Sequence, residues 1–460
     1  MCNSTKARQY RQINGDKQIR QQNSGLPPTL PLPSLVETGA FWRAPHSYLD
    51  LCHRRLGRSF TIYPFGAAPM VFMSDPTDIA AIIRSQSDVL QPGAGAEVIT
   101  PLVGRRSFML QEGEDHIKIR RAVMPAFHHR VVAKHAEAIQ QIAAKDIASW
   151  PIGRSFAAHP YLRALTLRVI LSTIFGDEDP RLSELHACLF KMLSVTRSLA
   201  LQEPPLRRLP PWCGLWRSFL LTRDRVDHLI GGLVEDGAHE AAESGGLLHE
   251  LLAVHSREGP INEHIHDDLM SVILAGHETT ASQLAWALQL LAHNPAASSA
   301  LTAEVDQADN AYLTATVQEV MRHRPVFLFA IPRVVSKPTE IAGSLYMPHT
   351  QLAACIHLLH HDPELYRQPR SFLPERFIDS PPDPQFWLPW GGGRKRCPGH
   401  NLATLEMQIV LREVVGQRCI SPANNKLEPA RWRSVIVTPG SGCQIVLDRR
   451  DARRSGRIRR

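Results

Sequence analysis

The chain has 460 residues, of which 43% are hydrophobic and 21% charged, a composition that is ordinary for a globular protein. Its net charge of +8 is carried by the two ends, residues 1–25 and 449–460, which argues against a basic, nucleic-acid-binding body. The Arg-rich C-terminal end has no aromatic residue on which a base could stack, so we expect no nucleic-acid partner.

No part of the sequence has the features of a membrane anchor or of a disulfide-rich secreted protein. No apolar run reaches the roughly twenty residues that a membrane-spanning helix needs, and residues 1–25 lack the apolar centre of a secretory signal. The eight cysteines include no CxxC pair. We expect a polar, disordered segment over 1–25, a catalytic body over 26–447 and a basic, disordered tail over 448–460, in a cytoplasmic protein.

The predicted elements begin with an extended, proline-rich segment at 26–35 and short strands at 59–64 and 69–73. Helical patterns then dominate, at 77–84, 114–121, 130–149, 159–175, 182–200 and 215–238. A long helix over 262–293 is followed by a helix at 312–322, strands near 326–335 and 339–347, and a short helix near 351–361. The chain closes with a helix at 399–416 and strands near 433–438 and 442–447.

The long helix is the most informative of these elements. Asn262 is a suitable N-cap, and Pro295 ends the helical pattern soon after His293. Its sequence is nearly uncharged between Val272 and Leu291, which predicts a helix buried through a core. Together the elements predict a mainly α fold with minor sheets.

The strongest chemical signal is a single cysteine in the segment WGGGRKRCPG, residues 390–399. Three glycines permit a tight turn and a close approach of the backbone to a flat cofactor. Three neighbouring cations, and the N-terminus of the helix that begins near Gly399, lower the pKa of a thiol and favour the thiolate, the form that binds metal. This pattern predicts a metal-binding thiolate at Cys397, and the alternative is a glycine-rich surface turn with an unrelated cysteine.

This loop resembles the cysteine-loop signature of the cytochrome P-450 family, which Gly393, Cys397 and Gly399 match. Trp390 replaces the family's usual Phe, and Lys395 stands where the family prefers Arg or His. The resemblance covers residues 26–447 and implies one triangular, mainly α domain of the soluble bacterial type. It implies haem b between the long central helix and the cysteine loop, with Cys397 as the axial ligand of the iron. Trp390 would then pack against the haem, and Lys395 would neutralise a propionate.

The segment AGHETT, residues 275–280, lies in the long helix and resembles the family's oxygen-binding motif. Helical spacing places Gly276 and Thr279 on one face. The resemblance implies that Gly276 leaves room for oxygen, that Thr279 is the alcohol that hydrogen-bonds it, and that Glu278 relays protons. The alternative is a polar patch on an ordinary helix.

Two further motifs follow in the family's order. Glu319 and Arg322 resemble its Glu-x-x-Arg motif, whose spacing lets the two charges pair on one helix face. The segment FLPERF, residues 372–377, resembles its meander motif. The resemblance implies that Arg376 joins the pair in a structural triad that locks the core on the thiolate side of the haem.

The resemblance also implies which residues bind the haem propionates and the substrate. His116 and Arg120 resemble the family's HxxxR helix, and Arg333 matches its strand arginine; all three serve the propionates. By analogy the substrate pocket is lined by residues near 97–110, by Val272 and Ala275, by residues 326–331 and by residues near 436–440. Since residues 326–331 are entirely apolar, we expect a hydrophobic substrate, or else an ordinary buried strand at that position.

The activity implied is monooxygenation of a hydrophobic small molecule by O2, with electrons from a separate ferredoxin-type partner and its reductase. A terpenoid of bacterial secondary metabolism, such as a gibberellin precursor, is one candidate substrate. One alternative is a haem-thiolate peroxygenase or isomerase, but such family members often lose the acid–alcohol pair that Glu278 and Thr279 form here. Another alternative is a haem sensor without enzymatic activity.

Overall fold

The computed structural model describes residues 25–85, 88–176, 179–195, 214–240, 247–248, 251–252, 263–341, 343–433 and 435–450. The predictions for residues 1–24 and 451–460, the N-cap at Asn262 and the end of the helix predicted at 182–200 lie outside these residues.

Helices dominate the described chain. The first eight are α1 (Ser34–Arg43), α2 (Pro45–Leu56), α3 (Pro76–Arg84), α4 (Pro92–Gly95), α5 (Thr100–Val103), α6 (Gly113–Val123), α7 (His129–Val132) and α8 (Ala136–Ala148). They are followed by α9 (Ala158–Phe175), α10 (Arg181–Val195), α11 (Gly214–Glu240), α12 (Glu263–His293), α13 (Pro295–Asp306), α14 (Ala311–His323), α15 (Ile356–His360) and α16 (His400–Gln417).

The described strands form four small sheets. The largest has the order β1-β2-β8-β5-β3, from β1 (Ser59–Ile62), β2 (Met70–Met73), β3 (Leu90–Gln91), β5 (Arg333–Val335) and β8 (Gln351–Ala354). A second has the order β4-β12-β9, from β4 (Ser155–Ala157), β9 (Arg418–Pro422) and β12 (Gln444–Arg449). Two antiparallel hairpins join β6 (Thr339–Ile341) to β7 (Ser344–Tyr346) and β10 (Ala430–Arg433) to β11 (Ile436–Pro439).

The core is built around α12, as its nearly uncharged sequence predicts. From Ala281 to Ala292 every residue of α12 is buried, including Trp286, which is completely inaccessible to solvent. A helix that is apolar on all sides must be covered on all sides, and α9 covers one of them. The two helices approach closely at Gly276, where a Cβ atom would lie 3.0 Å from Cδ1 of Ile170. The mainly α prediction is confirmed.

The structure corrects several predicted elements. Helices α1 and α2 were not predicted. The helix expected at 130–149 is divided, because a 3₁₀ turn at Ala133–His135 separates α7 from α8, and helical periodicity does not distinguish these two kinds of turn. The helix expected at 351–361 is instead strand β8 followed by α15, because β8 pairs in parallel with β2, a partner distant in sequence.

The segment at 326–335 is a strand only from Arg333 onwards. The apolar residues before it line a cavity and pack against aromatic side chains. Their contacts with strands are single backbone hydrogen bonds, from Ala330 to the carbonyl oxygen of Ala354 and from Val437 to that of Val326, rather than a continuous ladder. The expected tail also begins later than residue 448. Asp448 and Arg449 belong to β12, and the Arg450 guanidinium forms an ion pair with Asp306.

No helix among the described residues is long and apolar enough to cross a membrane.

Candidate functional site

A large cavity lies between α12 and the cysteine loop. Ala275, Gly276 and Thr279 line it from α12, and Trp390, Lys395 and Cys397 line it from the opposite side. The structure therefore brings together residues of two segments that are more than one hundred positions apart in the sequence. This is the arrangement that the two motifs require if one cofactor lies between them.

The cysteine loop owes its shape to its glycines. Gly391 and Gly393 both have positive φ, at 65° and 64°. A Cβ atom on Gly393 would also lie 2.5 Å from the carbonyl oxygen of Ile83, so only glycine lets the loop pack against the end of α3. The loop is closed by the amide of Cys397, which donates to the carbonyl oxygen of Trp390 at 2.9 Å.

The electrostatics of the Cys397 thiol differ in part from the expectation. Among protein groups, burial is the largest influence and raises the pKa of the thiol. The backbone amide of Gly399 and the cations Arg120 and Arg396 act in the opposite direction, as predicted, but do not outweigh burial. Because a metal ion deprotonates a thiol that coordinates it, iron would supply the missing stabilisation of the thiolate.

Four basic residues line the cavity beside the cysteine loop: His116, Arg120, Arg333 and Lys395. Burial lowers the pKa of Lys395 to about 8 and that of His116 to about 4, and it also lowers the pKa of Arg333. The Nη1 atom of Arg333 is buried without a hydrogen-bond partner among the described residues. A buried, unsatisfied guanidinium nitrogen is unfavourable unless an anion completes it, which fits a haem propionate.

Other hydrogen bonds of this group involve the protein backbone. Lys395 Nζ donates to the carbonyl oxygens of Met109 at 3.2 Å and Gln111 at 2.7 Å. Arg120 Nη2 donates to the carbonyl oxygen of Arg396 at 2.7 Å, which ties α6 to the cysteine loop. The four residues therefore have the placement to bind an anionic edge of a cofactor, Arg120, Arg333 and Lys395 as cations and His116 as a neutral hydrogen-bond donor.

On the α12 side, the predicted acid and alcohol do not hydrogen-bond each other. The Thr279 hydroxyl donates to the carbonyl oxygen of Ala275, one turn earlier in the helix. The Glu278 carboxylate accepts a hydrogen bond from Nε of Arg163 on α9, and His159 Nε2 lies 3.8 Å from its other oxygen. Both Glu278 and Thr279 line the cavity.

Sequence reasoning missed Arg163 as a partner of this site. The available signal was an arginine in the mostly apolar stretch of α9 between Leu162 and Leu165, although Arg168 follows in the same helix. Sequence reasoning also missed Arg433, which lines the same cavity from the end of β10.

The absence of a side chain at Gly276 serves helix packing in addition to the room for oxygen that the motif implies. It lines the cavity, as predicted, but the direction that its Cβ would take leads toward Ile170. The small residue therefore allows α9 and α12 to pack closely.

The three charged residues of the expected triad lie together. Arg322 Nε donates to the Glu319 carboxylate at 2.7 Å, and Arg376 Nε lies 3.0 Å from the same oxygen. Glu319 and Arg322 are completely buried. These residues do not line the cavity, which agrees with the structural role that was predicted for them.

Most of the remaining cavity wall is apolar, and its other polar residues are Thr280, Gln283, Glu406 and Arg433. The predicted lining segments all contribute, through Ile99, Leu102, Phe108, Val272, Val326, Phe327, Phe329, Ile331 and Ile436. The final segment differs from the prediction, because Val435 and Arg433 line the cavity and residues 437–440 do not. A wall of this kind accepts a mostly hydrophobic molecule.

Comparisons with known proteins agree with this geometry. A family model for cytochrome P450 matches residues 25–419. Cytochrome P450 135B1 of Mycobacterium tuberculosis is 32% identical over 434 residues, which cover 92% of this chain and 91% of the relative. Cytochrome P450 138 of Mycobacterium bovis is 32% identical over 440 residues, which cover 92% of this chain and 97% of the relative.

A solved structure, that of retinoic acid-bound cyanobacterial CYP120A1, shares the fold. It superposes with a TM-score of 0.77 at 21% sequence identity and covers 92% of this chain and 99% of its own. The family model extends over most of the sequence and the cavity has the residues that a haem requires, so this chain belongs to the cytochrome P450 family of haem-dependent monooxygenases.

Proposed function

We propose that this chain inserts one oxygen atom from O2 into a hydrophobic small molecule while the other atom leaves as water. The observation that carries the proposal is the cavity itself, which Cys397 lines from one side and Thr279 and Glu278 from the other. Haem b held through a thiolate supplies the redox chemistry of oxygen activation. The chain's own residues must bind the cofactor, orient the substrate and deliver protons.

The proposed roles follow from placement and charge. Cys397 would hold the haem iron through its thiolate, Trp390 would pack against the haem, and Arg333, whose Nη1 has no hydrogen-bond partner among the described residues, would bind a propionate. His116, Arg120 and Lys395 complete the propionate site.

On the opposite side, Thr279 presents an alcohol to the cavity, and Glu278 is the acid that supplies protons to it. Because the Glu278 carboxylate is bound to Arg163, proton delivery requires its side chain to turn away from that partner or to act through water.

The finer parts of the proposal concern substrate, partner and location. We propose a terpenoid substrate, such as a gibberellin precursor, and the apolar wall supports a hydrophobic skeleton of this kind. We propose a cytoplasmic enzyme that receives two electrons from a ferredoxin-type protein and its reductase.

Two variants test the haem-thiolate assignment. Cys397→Ala should lose the thiolate-type absorption of the reduced, carbon monoxide-bound protein, whereas Cys419→Ala, at an exposed position outside the cavity, should keep it. Thr279→Ala should consume electron donor with less product and more free hydrogen peroxide, and Thr279→Ser should restore the coupling. For the first test, a thiolate-type carbon monoxide spectrum that is unchanged in Cys397→Ala would remove the basis of the haem-thiolate assignment.

The reaction class is tested by omitting one reagent at a time. A panel of terpenoids and fatty acids is screened for shifts in haem absorption, and the compounds that bind are incubated with and without electron donor, O2 and hydrogen peroxide. Product that requires both donor and O2 supports monooxygenation. Product that forms only with peroxide would instead support a peroxygenase, and binding without any product would support a sensor.

A further inference from the structure

The cavity is lined by one further cation, separate from the group that faces the cysteine loop. Arg433, at the end of β10, lines the cavity together with Val435 and Ile436. The charged groups close enough to influence it are Glu278, Arg163 and Glu428. The charged groups that influence Lys395, one of the residues beside the cysteine loop, are Glu112, Arg333 and Arg120. The charged neighbours of Arg433 and those of Lys395 have no residue in common, so the haem propionates do not account for Arg433.

Within the described residues, Arg433 has no hydrogen bond and no ion pair within 4 Å. The two carboxylates near it are already bound elsewhere. Glu278 is paired with Arg163. Glu428 accepts hydrogen bonds from the backbone amides of Ser441, Cys443 and Gln444 and from the side chain of Gln289.

Arg433 therefore has two carboxylates nearby but no direct partner among the described residues. Glu278 influences Arg433 while hydrogen-bonded to Arg163, and Glu428 influences it while bound to backbone amides. Burial lowers the pKa of Arg433, which means that its charged form is partly desolvated. A desolvated guanidinium in an apolar cavity gains most from a carboxylate, because the two planar groups form paired, charge-assisted hydrogen bonds.

We propose that Arg433 binds a carboxylate group of the substrate, so that this enzyme acts on hydrophobic carboxylic acids. The inference rests on the proposed function and narrows its substrate class. The carboxylate lies at the β10–β11 end of the cavity, and the hydrocarbon body extends along the apolar wall toward Thr279 and the haem. Arg433 then determines specificity and fixes which carbon is presented for oxidation, because it anchors one end of the molecule.

The test uses probes that bind whatever the natural substrate is. An imidazole ligates the haem iron and changes its absorption, so imidazoles with alkyl chains of graded length report binding directly. Each chain ends either in a carboxylate or in the methyl ester of that carboxylate. Dissociation constants are measured for the wild type, Arg433→Gln, Arg433→Lys and the control Arg431→Gln. Arg431 is on the same strand, does not line the cavity and donates to the carbonyl oxygen of Arg43.

At the chain length that spans the cavity, we expect the wild type to bind the acid roughly tenfold or more tightly than the ester. Arg433→Gln should lose this preference while binding the ester as the wild type does. Arg433→Lys should keep part of the preference, and Arg431→Gln should keep all of it. An acid that binds no better than its ester at every length, or a preference that survives in Arg433→Gln, would overturn the inference.

Failure of the proposed function would look different. It would appear as a missing thiolate-type carbon monoxide spectrum or as product formation that does not need O2 and an electron donor. Loss of the acid preference alone, in a protein with both of those properties, rejects the role of Arg433 and leaves the monooxygenase assignment intact.

Discussion

The Glu278 carboxylate accepts a hydrogen bond from Arg163 Nε across the contact between α12 and α9. The side chain of Arg163 is 2% exposed and that of Glu278 is 19% exposed, so the arginine is buried and the carboxylate can still reach the cavity. The pair holds Glu278 near Thr279 without a hydrogen bond between the acid and the alcohol. A proton that reaches the cavity by this route must therefore pass through a movable carboxylate.

Replacing this carboxylate should slow catalysis without weakening substrate binding. General acid–base groups typically contribute about 10²–10⁴-fold to rate, so Glu278→Gln should reduce turnover by about a hundredfold or more. Glu278→Asp, which keeps an acid, should retain more activity. Turnover is measured with saturating electron donor, and the melting temperature is recorded because the variant deprives buried Arg163 of its partner. Wild-type turnover in a normally folded Glu278→Gln would show that protons enter by another route.

A second prediction concerns Arg322, whose five N–H groups all donate. Nε and Nη2 donate to the Glu319 carboxylate, and Nη1 and Nη2 donate to the carbonyl oxygens of residues 360, 369 and 371. Lysine keeps the charge but has three donors and cannot reproduce this planar arrangement. At least two of the five hydrogen bonds are then lost, at about 1–3 kcal/mol for each buried acceptor left without a donor, so Arg322→Lys should lower the free energy of unfolding by about 2 kcal/mol or more.

The control for this variant is an exposed pair with the same geometry. Arg225 donates to both oxygens of Glu184, at 2.7 and 2.8 Å, and both side chains are nearly half exposed. Arg225→Lys should cost no more than about 1 kcal/mol. Urea unfolding and haem content are measured for both variants. Equal losses at the two sites would contradict a special role for the buried network around Glu319.

A third prediction concerns stability in acid. The ring of His360 is fully buried, and both nitrogens are used by its neutral form: Nδ1 donates to the carbonyl oxygen of Arg322 at 3.3 Å, and Nε2 accepts from the amide of Leu388 at 2.9 Å. Burial lowers its pKa to about 3. In the unfolded chain a histidine binds a proton below about pH 6.5. The unfolded state therefore binds more protons between these two values, and stability falls as the pH decreases through this range.

The expected slope is about 1.4 kcal/mol per pH unit for each such histidine, and His323 and His361 also have lowered pKa values. His360→Gln should reduce the slope of unfolding free energy against pH by about 1.4 kcal/mol per pH unit, which corresponds to one proton fewer bound on unfolding. His129→Gln, at an exposed position, should leave the slope unchanged. Urea midpoints between about pH 7.5 and 5 provide the measurement. Identical slopes in the wild type and His360→Gln would show that His360 is not held neutral in the fold.

What could be predicted from the sequence depended on whether the signal was local. Cys397 and its glycines, Thr279 in its helix and the Glu319–Arg322 spacing are each contained in one short segment, and the structure brings them to the expected places. Arg163 and Arg433 could not be assigned, because their roles arise where α9 and β10 approach α12, and no spacing in the sequence encodes that approach.

The strand that was expected from residue 326 begins only at Arg333, for a related reason. An apolar run predicts burial but does not say whether a strand partner provides it, and here Val326, Phe327 and Phe329 line the cavity, as the family resemblance implied. The pKa of the Cys397 thiol also could not be predicted from the sequence alone. Neighbouring cations are visible in the sequence, whereas the burial that outweighs them is a property of the fold.

The last prediction concerns electron transfer. Lys118 and Arg121 on α6, and Arg394 and Arg396 on the cysteine loop, are exposed, and none of them forms an ion pair in the part of the chain that the structure describes. Arg120 joins the two segments through the carbonyl oxygen of Arg396, so α6 and the cysteine loop, which carry the four cations, adjoin close to Cys397. A positive surface attracts an acidic ferredoxin-type protein and accelerates encounter, an effect that salt weakens.

Three variants separate this surface from the basic C-terminal end. Lys118→Glu with Arg121→Glu should slow reduction by the ferredoxin roughly tenfold at low salt and flatten its salt dependence. A matched charge reversal on α2, Arg54→Glu with Arg55→Glu, should have little effect, because those exposed residues belong to a different element. Truncation after Arg450, which preserves β12 and the Arg450–Asp306 ion pair, should also leave the rate nearly unchanged. If the truncation slows reduction and the α6 variant does not, the C-terminal residues rather than the surface around Cys397 recruit the electron donor.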